Sequence, residues 1–179
     1  MTITLIVFAV ALLLAALLLR AVRGQAQMVR EVPELEGLTR PVDLAALRNL
    51  VDPFEEEYLR AHLSRSQFRM IQRQRMRAAL EYVERTKHNG AILLRLGEAS
   101  RRDRNPEVAA AARELVNSAL RLRMNALLST GILYARIVLP EAKISIGYVT
   151  DRYENLTNGL VRLTRLQDPT YVTRVSAVI

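Results

Sequence analysis

The strongest constraint on the fold is the spacing of apolar residues between Pro106 and Leu139. Apolar or small residues recur there at alternating steps of four and three positions, which is typical of a helix packed against another helix. The recurring residues are Val108, Ala112, Leu115, Ala119, Leu122, Ala126, Ser129 and Leu133. One position of the repeat keeps returning alanine, so a second helix can approach closely. We predict a helix-packing seam formed by Ala112, Leu115, Ala119, Leu122 and Ala126.

Helix start signals precede this segment. Asp43 can cap a short helix over Leu44–Leu50. Asp52 can cap a second helix, which Pro53 opens at a position where its missing N–H costs nothing, and Glu55 can close a capping box. The sequence therefore predicts two helix starts within ten residues.

The second helix pauses at Ser64–Ser66 and then runs toward Arg101. Asn89-Gly90 leaves two interpretations: a helix end with glycine as its cap, or a continuous helix with Gly90 and Gly97 on one tightly packed seam. The helical composition of Ala91–Leu96 favours the continuous helix.

Asn105 can cap the seam-bearing helix, which Pro106 opens and Pro140 ends. A further helix is predicted from the same three- and four-residue spacing, and it ends near Asp168-Pro169. Its periodic residues are Ile146, Val149, Tyr153, Leu156, Leu160 and Leu163.

The composition agrees with a helical chain. Only 5% of the residues are aromatic, and there are 7 Gly and 6 Pro among 179 residues, which favours long aliphatic helices over a sheet sandwich. We expect an all-α fold: an N-terminal transmembrane helix followed by an antiparallel bundle of three to four long helices with coiled-coil-type seams.

The transmembrane helix is predicted from an uncharged run at the N-terminus. Ile3 to Leu19 contains 17 residues, of which Thr4 alone is polar. At about 1.5 Å per residue the run spans roughly 26 Å, close to the thickness of a bilayer's hydrocarbon core. The anchor residues are Ile3, Leu5, Ile6, Val7, Phe8, Leu12, Leu13, Leu14, Leu17, Leu18 and Leu19.

Topology follows from the arginines after the run, namely Arg20, Arg23 and Arg30. No positive side chain precedes it, so the positive-inside rule places the N-terminus outside the cell membrane and the remainder in the cytoplasm. A cleaved secretory signal is the rival interpretation, but it would carry a basic region ahead of its apolar core. We expect an uncleaved, single-pass signal anchor of bacterial type.

The chain divides into four predicted parts. They are the anchor (1–23), an acidic juxtamembrane linker with one short helix (24–51), the helical bundle (52–168) and a C-terminal tail (169–179). Within the bundle, Ala126–Tyr134 and Ile137–Leu139 form an apolar run interrupted by Arg136. A second membrane span would need more residues and no charge, so a buried bundle helix is favoured.

Charge is distributed unevenly. Residues 30–57 have a net charge of −5 and residues 58–104 a net charge of +8. Arg65, Arg69, Arg73 and Arg77 stand four residues apart, and like charges at this spacing repel on a helix. The chain's own acidic segment, or that of a neighbouring subunit, is the first candidate to compensate them. Anionic lipid or an acidic protein is the second, and nucleic acid is the last because no aromatic residues are interleaved with the arginines.

No residue set predicts catalysis, a cofactor or a metal. The chain has no Cys and two histidines, His62 and His88. Glu84 precedes His88 by one helical turn, but a metal site needs at least three convergent ligands. The three acids at 55–57 suit the positive end of a helix dipole rather than acid–base catalysis.

The functional expectation is a membrane-anchored helical interaction or scaffold protein that is not an enzyme. Self-association or a protein partner ranks first. The alternative is an electrostatic tether, in which the face Arg65–Arg77 binds anionic lipid or nucleic acid at the membrane surface.

Overall fold

A computed structural model describes residue 35, residues 37–141 and residues 148–167. Within these residues the chain has five helices and no strand, which confirms the all-α class. The helices are α1 (Leu44–Val51), α2 (Pro53–His62), α3 (Arg65–Ser100), α4 (Pro106–Val138) and α5 (Tyr148–Gln167).

The predicted anchor lies outside the described residues. So do Arg20, Arg23, Arg30 and the tail 169–179. In the part that the structure describes, no helix is both long enough and apolar enough to cross a membrane.

Side chains cap the helices at the predicted residues, although the capping box predicted at Glu55 is not formed. The carboxylates of Asp43 and Asp52 accept hydrogen bonds from the N–H groups of Ala46 and Phe54. Asn105 caps α4 in the same way. The predicted pause at Ser64–Ser66 is a helix break, since α3 begins after Ser64, whose capping box with Gln67 satisfies two backbone N–H groups.

Helix α3 continues through Asn89-Gly90, as the favoured interpretation predicted, and it runs antiparallel to α4. A Cβ atom added to Gly97 would lie 2.8 Å from Cγ2 of Val116 and 3.2 Å from the carbonyl oxygen of Ala112. Such an atom would clash, so the glycine is what permits this close approach. The predicted α4 seam is buried: Ala112, Leu115, Ala119, Leu122, Ala126 and Leu133 are 0% exposed.

Helix α5 completes the bundle by packing on α4. The periodic residues Tyr153, Leu156, Leu160 and Leu163 are buried in the same core, while the side chains of Ile146 and Val149 are outside the described part. Gln167 reaches Ser100, so α5 ends beside the end of α3. The described bundle therefore has three long helices, with α4 between the other two.

The segment before α1 is folded onto the bundle, which the prediction of a juxtamembrane linker did not anticipate. The side-chain oxygen of Asn89 accepts from the N–H of Arg40 at 2.8 Å, and its amide nitrogen donates to the Arg40 carbonyl at 2.6 Å. That nitrogen also donates to the Tyr153 hydroxyl at 2.7 Å. Burial raises the pKa of Tyr153 to about 12. Leu35 of this segment is 2% exposed and is buried in the hydrophobic core, as is Leu47 of α1.

Candidate interaction surface

The second half of α4 is apolar on two opposite sides. Its inner side belongs to the core seam. Its outer side repeats the same spacing of four and three, and its residues are Met124, Leu128, Gly131, Ala135 and Val138. Leu128 is 60% exposed and Val138 is 71% exposed. A helix that is hydrophobic all round is normally covered all round, so this outer face of α4 is the surface that most needs an explanation.

The prediction that the apolar run 126–139 is a buried bundle helix was therefore only half right. Its inner residues are buried as expected, with Arg136 among them at 2% exposure. The outer residues face away from α3 and α5, because a three-helix bundle covers only part of the central helix's circumference. Periodicity alone could not reveal this, since both sides of the run are apolar.

Most of the exposed large apolar side chains, including Leu128 and Val138, lie toward one end of the bundle, where α3 begins and α4 ends. Among the described residues, seven of the eight large hydrophobic side chains with high exposure are found there. The seven are Phe54, Tyr58, Met70, Leu128, Tyr134, Val138 and Leu139. The eighth, Leu166, lies near the opposite end. Exposed patches of this kind mark interaction sites in soluble and membrane-associated proteins.

Gly131 lies in the middle of the outer face of α4. A helical glycine costs about 1 kcal/mol relative to alanine, and at Gly90 and Gly97 the packing between α3 and α4 accounts for that cost. At Gly131 a Cβ atom would meet nothing within 4 Å. No contact among the described residues therefore explains this glycine, whereas close approach of an external helix would.

The predicted arginine face borders the end of α4. Arg65 Nε and Arg69 Nε each lie 2.9 Å from an oxygen of Glu141. Arg73 Nε donates to the carbonyl oxygen of Ile137 at 3.2 Å, and Arg77 is exposed. The acid that pairs with Arg65 and Arg69 thus lies outside the acidic segment 30–57 that was the first candidate, because the antiparallel return of α4 brings residue 141 back to the start of α3.

This pairing gives a titration that can be measured. Hydrogen bonds from Arg65 and Arg69 lower the pKa of Glu141 from 4.5 to about 2. Because the folded pKa is depressed, the pairing is fully present above pH 4.5 and is lost as the pH falls through 2. We expect NMR of the Glu141 carboxyl to give a midpoint near 2, and near 4.5 in the double variant Arg65→Gln and Arg69→Gln. A wild-type midpoint of 4.5 would contradict the pairing.

A buried ion pair attaches α2 to the bundle. Arg136 of α4 donates to Glu56 of α2, and their side chains are 3% and 13% exposed. Glu56 also accepts from Arg60 at 3.0 Å, one helical turn away. Nearby, burial lowers the pKa of Arg75, whose guanidinium donates to the Asn49 carbonyl at 2.9 Å. Glu56, one of the three acids at the start of α2, thus has a structural role.

The two histidines occupy separate positions. His62 Nδ1 lies 2.8 Å from the Tyr58 carbonyl oxygen at the end of α2. His88 Nε2 lies 2.9 Å from the Leu38 carbonyl oxygen, and Glu84 pairs with Lys87. In the described ranges no three His, Cys, Asp or Glu residues converge as metal ligands.

Sequence reasoning missed the ion pair between Glu56 and Arg136 and the contacts of Asn89, because their partners are 80 and 49–64 residues away. The one sequence signal for the contacts of Asn89 was its ambiguous position in the predicted helix. Its burial became visible only in the structure. Comparison with known proteins adds no assignment: no protein-family model, no curated protein and no solved structure matches this chain.

Proposed function

We propose that this chain is a single-pass, membrane-anchored helical interaction protein without catalytic activity, and that it docks onto a second copy of itself through the outer face of α4. The apolar stripe from Met124 to Val138 is the observation that carries the proposal. It contains no charged residue over about four helical turns, and Leu128 and Val138 on it are more than half exposed.

The centre of the stripe supports a helix as the occupant. Gly131 and Ala135 allow two helix backbones to approach closely, and Gly131 has no neighbour that would explain it otherwise. A lipid surface would gain nothing from a glycine at this position, because fluid acyl chains adapt to larger side chains.

The stripe is also self-complementary. In an antiparallel pair with twofold symmetry about the point between residues 131 and 135, Gly131 of one copy faces Ala135 of the other. Leu128 then faces Val138 in the same way. Since the stripe carries no charge, the pairing brings no like charges into direct contact at its centre, despite the chain's net charge of +8.

Membrane anchorage supports weak self-association. One helix face buries less area than the roughly 800 Å² per partner of a standard stable interface. Confinement of both copies to one bilayer raises their effective concentration, and this compensates for a small interface. The anchor at 1–23 and a cytoplasmic bundle are part of the proposal, with the uncharged run Ile3–Leu19 as their support.

Disulfide trapping tests the proposed dimer, because the chain has no native Cys. Two differently tagged chains are co-expressed, one carrying Gly131→Cys and the other carrying Ala135→Cys. The native membranes are then oxidised. We expect a disulfide-linked pair containing both tags. The matched control is Asn117→Cys, which is exposed on the charged half of the same helix and should remain monomeric.

Two outcomes would overturn the dimer. One is equal cross-linking at position 117, which would indicate random collision. The other is no cross-linking at 131 and 135. Salt-sensitive binding of the full chain to anionic vesicles in that second case would favour the alternative function, an electrostatic tether. The observation favouring the tether is that Arg73 contacts the end of α4 beside Val138 while Arg77 is exposed.

A further inference from the structure

A polar groove lies between α4 and α5, along the first half of α4. Its volume is about 370 Å³. The lining residues from α4 are Glu114, Ser118 and Arg121, and those from α5 are Arg152, Asn155, Asn158, Gly159 and Arg162. Because both sets recur at helical spacing, one face of each helix supplies the whole lining.

The charges in the groove are unbalanced. Three guanidinium groups line it, against the single carboxylate of Glu114. Arg162 forms an ion pair with that carboxylate, and its Nη1 lies 2.9 Å from Oε2 of Glu114. Arg121 and Arg152 therefore add positive charge that no acid lining the groove offsets. Two acids flank Arg152 on α5: Asp151 is exposed and does not line the groove, and Glu154 pairs with Arg48 on α1.

The floor of the groove supplies an independent observation. A Cβ atom on Gly159 would lie 3.8 Å from Cδ1 of Leu115, which is ordinary van der Waals contact. Alanine would therefore fit at this position and would favour the helix by about 1 kcal/mol. Packing between α4 and α5 does not require a glycine here, but the absent side chain leaves the groove open between Arg152 and Arg162.

We propose that this groove binds a phosphate-bearing anion. Arg121 and Arg152 supply the charge, and guanidinium groups match phosphate oxygens with two parallel N–H donors. The amides of Asn155 and Asn158 and the hydroxyl of Ser118 supply neutral donors around them. The phosphate can belong to a soluble polyphosphate or to a lipid headgroup, and this inference does not depend on the proposed dimer.

Calorimetric titration of the full chain in neutral detergent with inorganic tripolyphosphate tests the proposal at low salt. We expect saturable binding at one site. The double variant Arg121→Gln and Arg152→Gln should weaken it by about tenfold or more, since charge-assisted hydrogen bonds are lost. Gly159→Leu should weaken binding similarly by filling the floor while leaving every charge in place.

The matched control is Arg113→Gln with Arg165→Gln. These arginines lie on the same two helices, are exposed and do not line the groove. Retention of affinity within about twofold is expected there, because screened surface charges away from a site contribute little. Equal losses in both double variants, or no effect of Gly159→Leu, would overturn the groove as the site.

A second arm distinguishes the two sources of phosphate. Neutral phosphatidylcholine vesicles, with and without phosphatidic acid, are sedimented with the full chain. Tripolyphosphate binding without any added sedimentation on phosphatidic acid would assign the groove to a soluble anion. Sedimentation that rises with phosphatidic acid and falls in the variant Arg121→Gln and Arg152→Gln would assign it to a headgroup. If tripolyphosphate does not bind and sedimentation does not depend on the groove arginines, the proposal is wrong.

Discussion

Replacing Glu56 by alanine is expected to destabilise the fold by about 3–5 kcal/mol, since removing one partner of a buried ion pair is strongly destabilising. The remaining charge is the guanidinium of Arg136, whose side chain is 3% exposed. Thermal unfolding of the full chain in mild detergent, followed by circular dichroism, measures the effect. Because α2 contacts the bundle through this pair, its segment should also become sensitive to proteolysis.

Two variants make this prediction specific. Glu57→Ala changes the neighbouring exposed acid of the same helix and should alter stability by no more than about 0.5 kcal/mol. The double variant Glu56→Leu with Arg136→Met should recover much of the stability, because apolar residues of similar volume often replace a buried pair without loss. A Glu56→Ala protein that melts like the wild type would show that Arg136 does not depend on this carboxylate.

Replacing Ala119 by leucine is expected to lower Tm by roughly 5–10 °C, the shift produced by about 2–3 kcal/mol of overpacking in a chain of this length. Ala119 is 0% exposed and lies on the seam where α4 packs inside the bundle. Three additional carbon atoms can be accommodated only by moving a neighbouring helix or by forcing strained rotamers.

The same substitution at Ala110 is the control. Ala110 lies on α4 but is exposed, so Ala110→Leu should leave Tm nearly unchanged. Helix propensity changes equally in both variants, which isolates the effect of packing. An unchanged melt of the Ala119→Leu protein would count against the seam as a tight core contact.

The periodic core could be predicted because each helix carries its own signals. Asp43, Asp52 and Asn105 were predicted to be caps, and the structure uses all three. A cap acts on N–H groups two or three residues away, so a short stretch of sequence contains both partners. The seam of α4 was equally accessible, since burial of Ala112 and Ala119 follows from their helical phase.

The candidate surfaces were less accessible to prediction. The outer face of α4 has the same apolar spacing as its inner face, so no local pattern indicated that one of them would be exposed to solvent. The groove depends on bringing Arg121 beside Arg152, two residues that are far apart in the chain. The partner of Arg65 and Arg69 was sought in the acidic segment and was found at Glu141.

By itself, the sequence determined the helical class, the positions of the described helices and the packing seam of α4. These depend on local hydrogen bonds and on a period of 3.6 residues, both of which are encoded over a few turns. Only the tertiary structure decided which apolar side of α4 is covered, which acid pairs with each arginine and how Asn89 secures the segment before α1. Those outcomes depend on how many helices surround α4 and on where the chain returns, and neither quantity is contained in a local pattern.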